Sequence, residues 1–240
     1  MLEPLLLAAT RVSTFDLERP LTNASGFFFE RDGRLFLVTS RHVVIDEPTE
    51  HHPSHLQIEL HTNAENLAES VAFSLPLFDD EGQSLWRQGI DSAGEIDIAL
   101  VEIDRSALPP TTLYQAFTPE HLADLNKGIE IGSPLLVVGF PLGFHDTLHH
   151  MPVARQAAIA SAFGLRFKGE GYFLTDARTH RGSSGAPIVM RLPADDKREL
   201  PWLLLGVHSS RLDVNRDLEL DEALGLNCAW YSDILLTLSE

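Results

Sequence analysis

Short apolar runs broken again and again by turn residues set the limits on what this chain can become. Gly26 to Phe29, Arg31-Asp32-Gly33-Arg34 and Leu35 to Thr39 read as a hairpin, because Asp-Gly between two apolar runs is the strongest short-range signal for one. Leu56-Gln57-Ile58-Glu59-Leu60 alternates with period two, as a half-buried strand does. Val71 to Leu77 and Gln83 to Arg87 flank Asp79-Asp80-Glu81-Gly82, a second hairpin signal, and Ile96 to Ile103 is a further strand. These runs predict about six strands before residue 104.

Leu108 to Pro119 reads as a link, ending in Thr118-Pro119-Glu120-His121, which predicts a capped short helix through Leu125. The strand texture then resumes with Pro134 to Phe140, Ala157 to Phe163, Gly171 to Thr175, Ala186 to Met190, Trp202 to His208 and Leu226 to Tyr231. Strands at this spacing argue for an all-β barrel or sandwich. Ser232 is placed to cap a terminal helix through Leu238. No helix-then-strand alternation occurs, which disfavours a doubly wound α/β fold. The expected division is residues 1–115 and 116–240.

Charge and cysteine content exclude several classes. Eighteen basic against 35 acidic residues give a net charge of −17, a surface that repels phosphate backbones, so nucleic acid is not an expected partner. One cysteine, Cys228, permits no internal disulfide. The apolar run Leu5 to Ala9 follows Glu3 and no basic residue, a poor signal peptide. No stretch approaches the roughly 20 apolar residues of a spanning helix. The expectation is a cytoplasmic protein that does not enter membranes, for which the Asn23-Ala24-Ser25 sequon carries no meaning.

Three motifs carry chemistry. Thr39-Ser40-Arg41-His42-Val43-Val44 offers a base, Asp97-Ile98-Ala99-Leu100-Val101 an orienting acid, and Gly182-Ser183-Ser184-Gly185-Ala186-Pro187 a nucleophile. A serine hydroxyl is a poor nucleophile until a base takes its proton, and the base needs a third group to hold its tautomer. Texture and motifs together resemble the trypsin-like, chymotrypsin-fold serine proteases from about Gly26 onward. The resemblance implies two six-stranded antiparallel β-barrels with a short C-terminal helix, His42 and Asp97 on the first barrel and Ser184 on the second, and a site in the cleft between them. It implies peptide-bond hydrolysis with no cofactor and no metal, on a protein or peptide substrate. Gly182 and Ser184 would aim backbone N–H groups at the developing oxyanion, a donor typically worth about 2.7–4 kcal/mol. Ser209 falls where the family has a serine that also contacts the buried acid.

Two departures have consequences. Ser183 stands where many secreted relatives carry an aspartate that pairs with a new N-terminus, so no activation by that route is expected. Ala186 replaces a second glycine, and its methyl group is small enough to be tolerated.

The family reads the residue before the scissile bond with the segments on either side of the nucleophile. Here these are Asp176 to Arg181 and Gly206 to Arg211. Arg178 stands six residues before Ser184 and could pair with a carboxylate. His208 in Gly206-Val207-His208 and Thr179, five before Ser184, match the bacterial glutamyl endopeptidase branch. The resemblance therefore implies cleavage after acidic residues, with Arg178, Thr179, His208 and Ser209 lining the pocket.

Weaker signals are read as structure. Asp213, Asn215, Asp217 and Glu219 hint at calcium but lack the glycine and the final glutamate of an EF-hand. His51, His52, His55, His149 and His150 are loop histidines without a metal-binding pattern. A protease-fold module that binds peptide without turnover is the alternative from another class. An esterase of the α/β-hydrolase type fails on spacing, since Ala186 stands where Gly-x-Ser-x-Gly needs glycine. An unrestrained cytoplasmic protease is a hazard, so narrow specificity or a regulatory protein partner is expected. No appended module such as a PDZ domain is visible.

Overall fold

The computed structural model describes residues 2–125, 128–193, 196–211 and 225–240. The acidic stretch Asp213 to Glu219 lies outside the described residues. Seven strands precede residue 104: β1 (Ala9–Asp16), β2 (Arg19–Arg31), β3 (Arg34–Thr39), β4 (His55–His61), β5 (Ser70–Pro76), β6 (Trp86–Asp91) and β7 (Gly94–Ile103). They form one sheet in the order β5-β4-β1-β2-β3-β7-β6. Six more follow: β8 (Pro134–Gly139), β9 (Val153–Ile159), β10 (Tyr172–Asp176), β11 (Pro187–Arg191), β12 (Trp202–Arg211) and β13 (Leu226–Tyr231). These close into a barrel, β10-β13-β12-β11-β8-β9, the last seam being Thr175 opposite Ile159.

The second half thus matches the expected six-stranded barrel, and the first half departs from it. It has seven strands, and no ladder joins its edges β5 and β6 among the described residues. The Asp79 turn does form, with Leu85 N–H donating to Leu77 O at 2.9 Å and Asp79 N–H to Gln83 O at 3.0 Å. Its two arms then diverge to opposite edges of the sheet. A local turn signal names neither the strand's partner nor its sheet position. The added strand is β1, preceded by a 3-10 turn at Pro4–Leu7. The apolar run at Leu5 to Ala8 is core, with Leu5 and Ala8 buried.

Strand periodicity explains how one segment serves two cores. In β2, Phe27 and Phe29 face the core shared by both halves, beside Val138, Val189, Leu204 and Trp230. Phe28, pointing the other way, packs inside the first sheet with Leu37, Leu56 and Val101. Burying each phenylalanine contributes roughly 1.5–3 kcal/mol. The Asp32-Gly33 turn joins β2 to β3 with both residues in the left-handed region, φ 51° and 77°, as a two-residue hairpin requires.

The link packs tightly rather than hanging free. Phe117 is fully buried, bridges Phe29, and meets Phe27 edge-on at 5.6 Å. The helix expected after Thr118 is only a 3-10 turn, Pro119–His121. His121 Nδ1 accepts from the Thr118 N–H at 3.0 Å, after which Leu122 bridges Leu204. The terminal helix α2 is Ile234–Leu238. Ser232 does not cap it; its hydroxyl donates to Leu204 O at 2.7 Å. The end of α2 is tied to the first half, with Arg87 donating to Leu238 O at 3.1 Å and Arg34 to Glu240 O at 2.9 Å. Cations there satisfy the carbonyls a helix leaves open at its C-terminus. Among the described residues no helix is long and apolar enough to cross a membrane.

Candidate active site

β3 ends at Thr39 and the chain turns at once into a single helical turn, α1 (Arg41–Val44). Ser40 sits at its N-cap position without capping it; the hydroxyl donates instead to His208 O at 3.2 Å. Arg41 anchors the turn outward, to Gln88 at 2.6 Å and Glu95 at 3.1 Å. Val43 and Val44 anchor it inward, both buried. His42 is thereby held over β7, where Asp97 receives it twice. The His42 N–H donates to Asp97 Oδ1 at 2.9 Å, and His42 Nδ1 meets Asp97 Oδ2 at 2.8 Å. Ser209 Oγ donates to the same Oδ2 at 2.5 Å.

These contacts set the charges. Burial lowers the His42 pKa, but the hydrogen bond and charge of Asp97, with Asp46 beyond, outweigh it and the net shift is upward. Burial raises the Asp97 pKa, but hydrogen bonds from His42 and Ser209 and the His42 charge outweigh it, so its carboxyl lies below the usual range. With Asp97 on Nδ1, the proton-accepting atom of neutral His42 is Nε2.

Ser184 lies on the opposite wall, on the turn entering β11. A cleft of about 1040 Å³ runs between the halves, lined by Leu21, Ala24 and His42 on one side and Leu142, Gly182 and Ser184 on the other. The Ser184 hydroxyl donates to Ser209 O at 3.1 Å; among the described residues it forms no hydrogen bond to His42. Gly182 and Gly185 have φ +89° and +83°, and a Cβ on Gly182 would meet Phe140 O at 2.6 Å, so this turn needs glycine.

The peptide planes of the turn are held by their carbonyls. Arg181 O accepts from the Leu142 N–H at 2.5 Å, and Ser183 O from the Ala186 N–H at 2.9 Å. A trans peptide points its N–H opposite its carbonyl. The N–H groups of Gly182 and Ser184 therefore point away from those contacts, and among the described residues neither finds a protein acceptor.

The residues expected to form an acid-reading pocket are dispersed in role. Arg178 is exposed rather than on a pocket floor. Thr179 is buried, and its hydroxyl donates to Asn227 Oδ1 at 2.5 Å. The Asn227 amide in turn donates to Ala177 O at 2.7 Å and Gly225 O at 3.1 Å. Asn227 is a residue that sequence reading missed, because Ala177 and Thr179 lie about 50 residues away along the chain. Ser209 faces Asp97. His208 is buried and its Nδ1 has no partner. Burial, with the nearby His42 charge, pushes its pKa down to about 4, so His208 is neutral at pH 7.

Comparisons with known proteins agree with this architecture. The family model described as a trypsin-like peptidase domain matches residues 24–191. The mitochondrial serine protease HTRA2 of Drosophila pseudoobscura pseudoobscura is 25% identical over 173 residues, 71% of this chain, and this chain spans 32% of that protein's length. A serine endoprotease from Yersinia pestis superposes with a TM-score of 0.53 at 17% identity, over 97% of this chain and 61% of its own. The active form of the Rv3671c protease from M. tuberculosis superposes with a TM-score of 0.53 at 14% identity, over 98% of this chain and 82% of its own. At such identities the likeness of structures shows the fold alone. The family match spans well over half of the chain and takes in His42, Asp97 and Ser184: this chain belongs to the trypsin-like peptidase family.

Proposed function

We propose that the chain is a serine endopeptidase in which Ser184 is nucleophile, His42 general base and Asp97 its orienting acid. The observation that carries the reading is the double grip of Asp97 on His42, at 2.9 and 2.8 Å, in the cleft that Ser184 also lines. In this reading Ser184 Oγ leaves Ser209 O for His42 by rotating about its Cα–Cβ bond to another staggered position. Such bonds are often loose before substrate arrives. Oγ then attacks the scissile carbonyl carbon while its proton passes to His42 Nε2. The carbonyl oxygen becomes an oxyanion facing the Gly182 and Ser184 N–H groups. His42 returns the proton to the leaving amine, and water repeats the sequence on the acyl-enzyme.

Fluorophosphonate labelling tests this reading against a binding module without turnover. The wild type is labelled and cleaves a proteome-derived peptide library; Ser184→Ala does neither. A wild type that binds peptides yet is never labelled and never cuts refutes the endopeptidase.

A preference for acidic residues before the scissile bond is supported by one feature, the unpartnered Nδ1 of buried His208. A neutral imidazole offers a hydrogen bond to a carboxyl group. Thr179 lends no support, being committed to Asn227. Peptides differing only at that residue test it: faster cleavage after Arg or Phe than after Glu rejects the preference. A cytoplasmic location and a gating partner belong to the same proposal and rest on the single buried cysteine and the hazard of open proteolysis.

A further inference from the structure

We propose that Ser25 is a positioning residue that sets the nucleophile turn, an inference that rests on the endopeptidase reading. Ser25 is fully buried in β2, beneath the cleft. Every polar group it has is engaged. Its N–H donates to Ser184 O at 2.9 Å, and its carbonyl accepts from Thr39 Oγ1 at 2.8 Å. Its hydroxyl donates to Gly182 O at 2.7 Å and accepts from the Phe140 N–H at 3.0 Å. One side chain thus ties the turn bearing Ser184 to the turn at Phe140, and its backbone ties both to the strand end that leads into His42.

The consequence falls on Gly182. Two peptide planes meet at its Cα. The first is held by Leu142 through Arg181 O, and the second is held by Ser25 through Gly182 O. Glycine has no Cβ to resist rotation about either bond. With both planes held, the direction of the Gly182 N–H is set before substrate binds. Without the Ser25 hydroxyl, Gly182 O and the Phe140 N–H become buried groups lacking partners, which are costly to leave unpaired. The turn then rearranges to satisfy them, and the N–H is carried off its aim. Ser25 touches no substrate and acts only through Gly182.

The test is Ser25→Ala in the full chain, with a kinetic and a spectroscopic readout. The expected kcat falls about 30-fold, less than the 10²–10³ of deleting an oxyanion donor outright, while KM stays within about twofold because uniform substrate binding is untouched. A peptide aldehyde, which adds to Ser184 Oγ and needs the same donors, binds about 30-fold more weakly. The matching peptide alcohol, which cannot add, binds unchanged. Ser25→Cys, of similar shape with weaker hydrogen bonding, falls between. Ile58→Val, in the core of the first sheet, controls for stability: it lowers the melting temperature and leaves kcat alone. The backbone amide resonance of Gly182 moves in Ser25→Ala. A kcat within threefold of wild type, or an unmoved Gly182 resonance, overturns the proposal. A wild type without turnover or labelling defeats the endopeptidase reading alone, and the Gly182 resonance then decides for Ser25.

Discussion

Ser209 Oγ and His42 Nδ1 share one oxygen of Asp97, at 2.5 and 2.8 Å. The carboxylate is thereby held between the barrel that carries Ser184 and the sheet that carries His42. This contact couples the geometry of the halves to the basicity of the imidazole.

The pH profile follows from it. Protonated His42 cannot take a proton, so kcat/KM is lost as pH falls through the His42 pKa. That pKa is shifted upward, which puts the midpoint of the acid limb above the ordinary value of about 6.5. In Ser209→Ala the carboxylate loses a donor and leans more on the imidazolium, so the limb moves further up. Asp97→Asn costs about 10⁴ in kcat because the tautomer is no longer imposed. Initial rates across pH on one peptide check all three.

Leu142 holds a strained place. Its φ is +56°, in the left-handed region that costs a non-glycine residue roughly 1–2 kcal/mol, and its side chain is 71% exposed. Leu142→Gly removes the strain, buries nothing less, and keeps the N–H that holds Arg181 O. It raises stability by about 0.5 kcal/mol after the entropy cost of glycine and leaves kcat within about threefold. Leu142→Pro lacks the N–H and cannot adopt that φ, and kcat falls by about 10². Denaturant melts beside steady-state kinetics separate the two effects.

Glycine substitutions at two left-handed turns give opposite results. Gly182→Ala pushes a Cβ to 2.6 Å from Phe140 O and 3.0 Å from Leu142 N, so the turn must move and kcat falls by about 10²–10³. Gly33→Ala, at φ +77° on the open β2–β3 hairpin with nothing within 4 Å of a new Cβ, costs about 1 kcal/mol of stability and no activity. Equal losses of activity in both would contradict a site-specific role for Gly182.

Phe117→Ala tests the link. Phe117 is fully buried in the core shared by both halves, against Phe27 at 5.6 Å. The cavity costs about 3–5 kcal/mol, read as a lowered denaturation midpoint. Because the cleft is built across this core, the variant loses its activity at a lower temperature than the wild type does.

The residues proposed to carry the chemistry stand out in the sequence because each sits in a short contiguous motif at a strand end. His42 follows β3, Asp97 opens the apolar part of β7, and Ser184 stands between glycines whose positive φ its neighbours require. Five strands of the second half were readable for a similar reason, since apolar runs bounded by turns look alike in any barrel; the sixth, expected over Ala157 to Phe163, is β9 at Val153–Ile159, whose first half, with Ala154 and Gln156 exposed, lacks an apolar run. β1 was harder, because its buried positions include Thr10 and Thr14, which satisfy their hydroxyls on Glu59 O and on Thr22. A buried polar residue with a distant partner looks like a surface residue in sequence.

Local pattern therefore specified most strands and turns and singled out the three candidate catalytic residues, since propensity, periodicity and glycine conformations act over a few neighbouring residues. Which strands pair, how far the first sheet curls, and what Thr179 and Ser25 bind came from folding. Thr179 meets Asn227 across 48 residues and Ser25 meets Gly182 across 157. Contacts of that span depend on the packing of whole sheets against one another, and no window of neighbouring side chains encodes them.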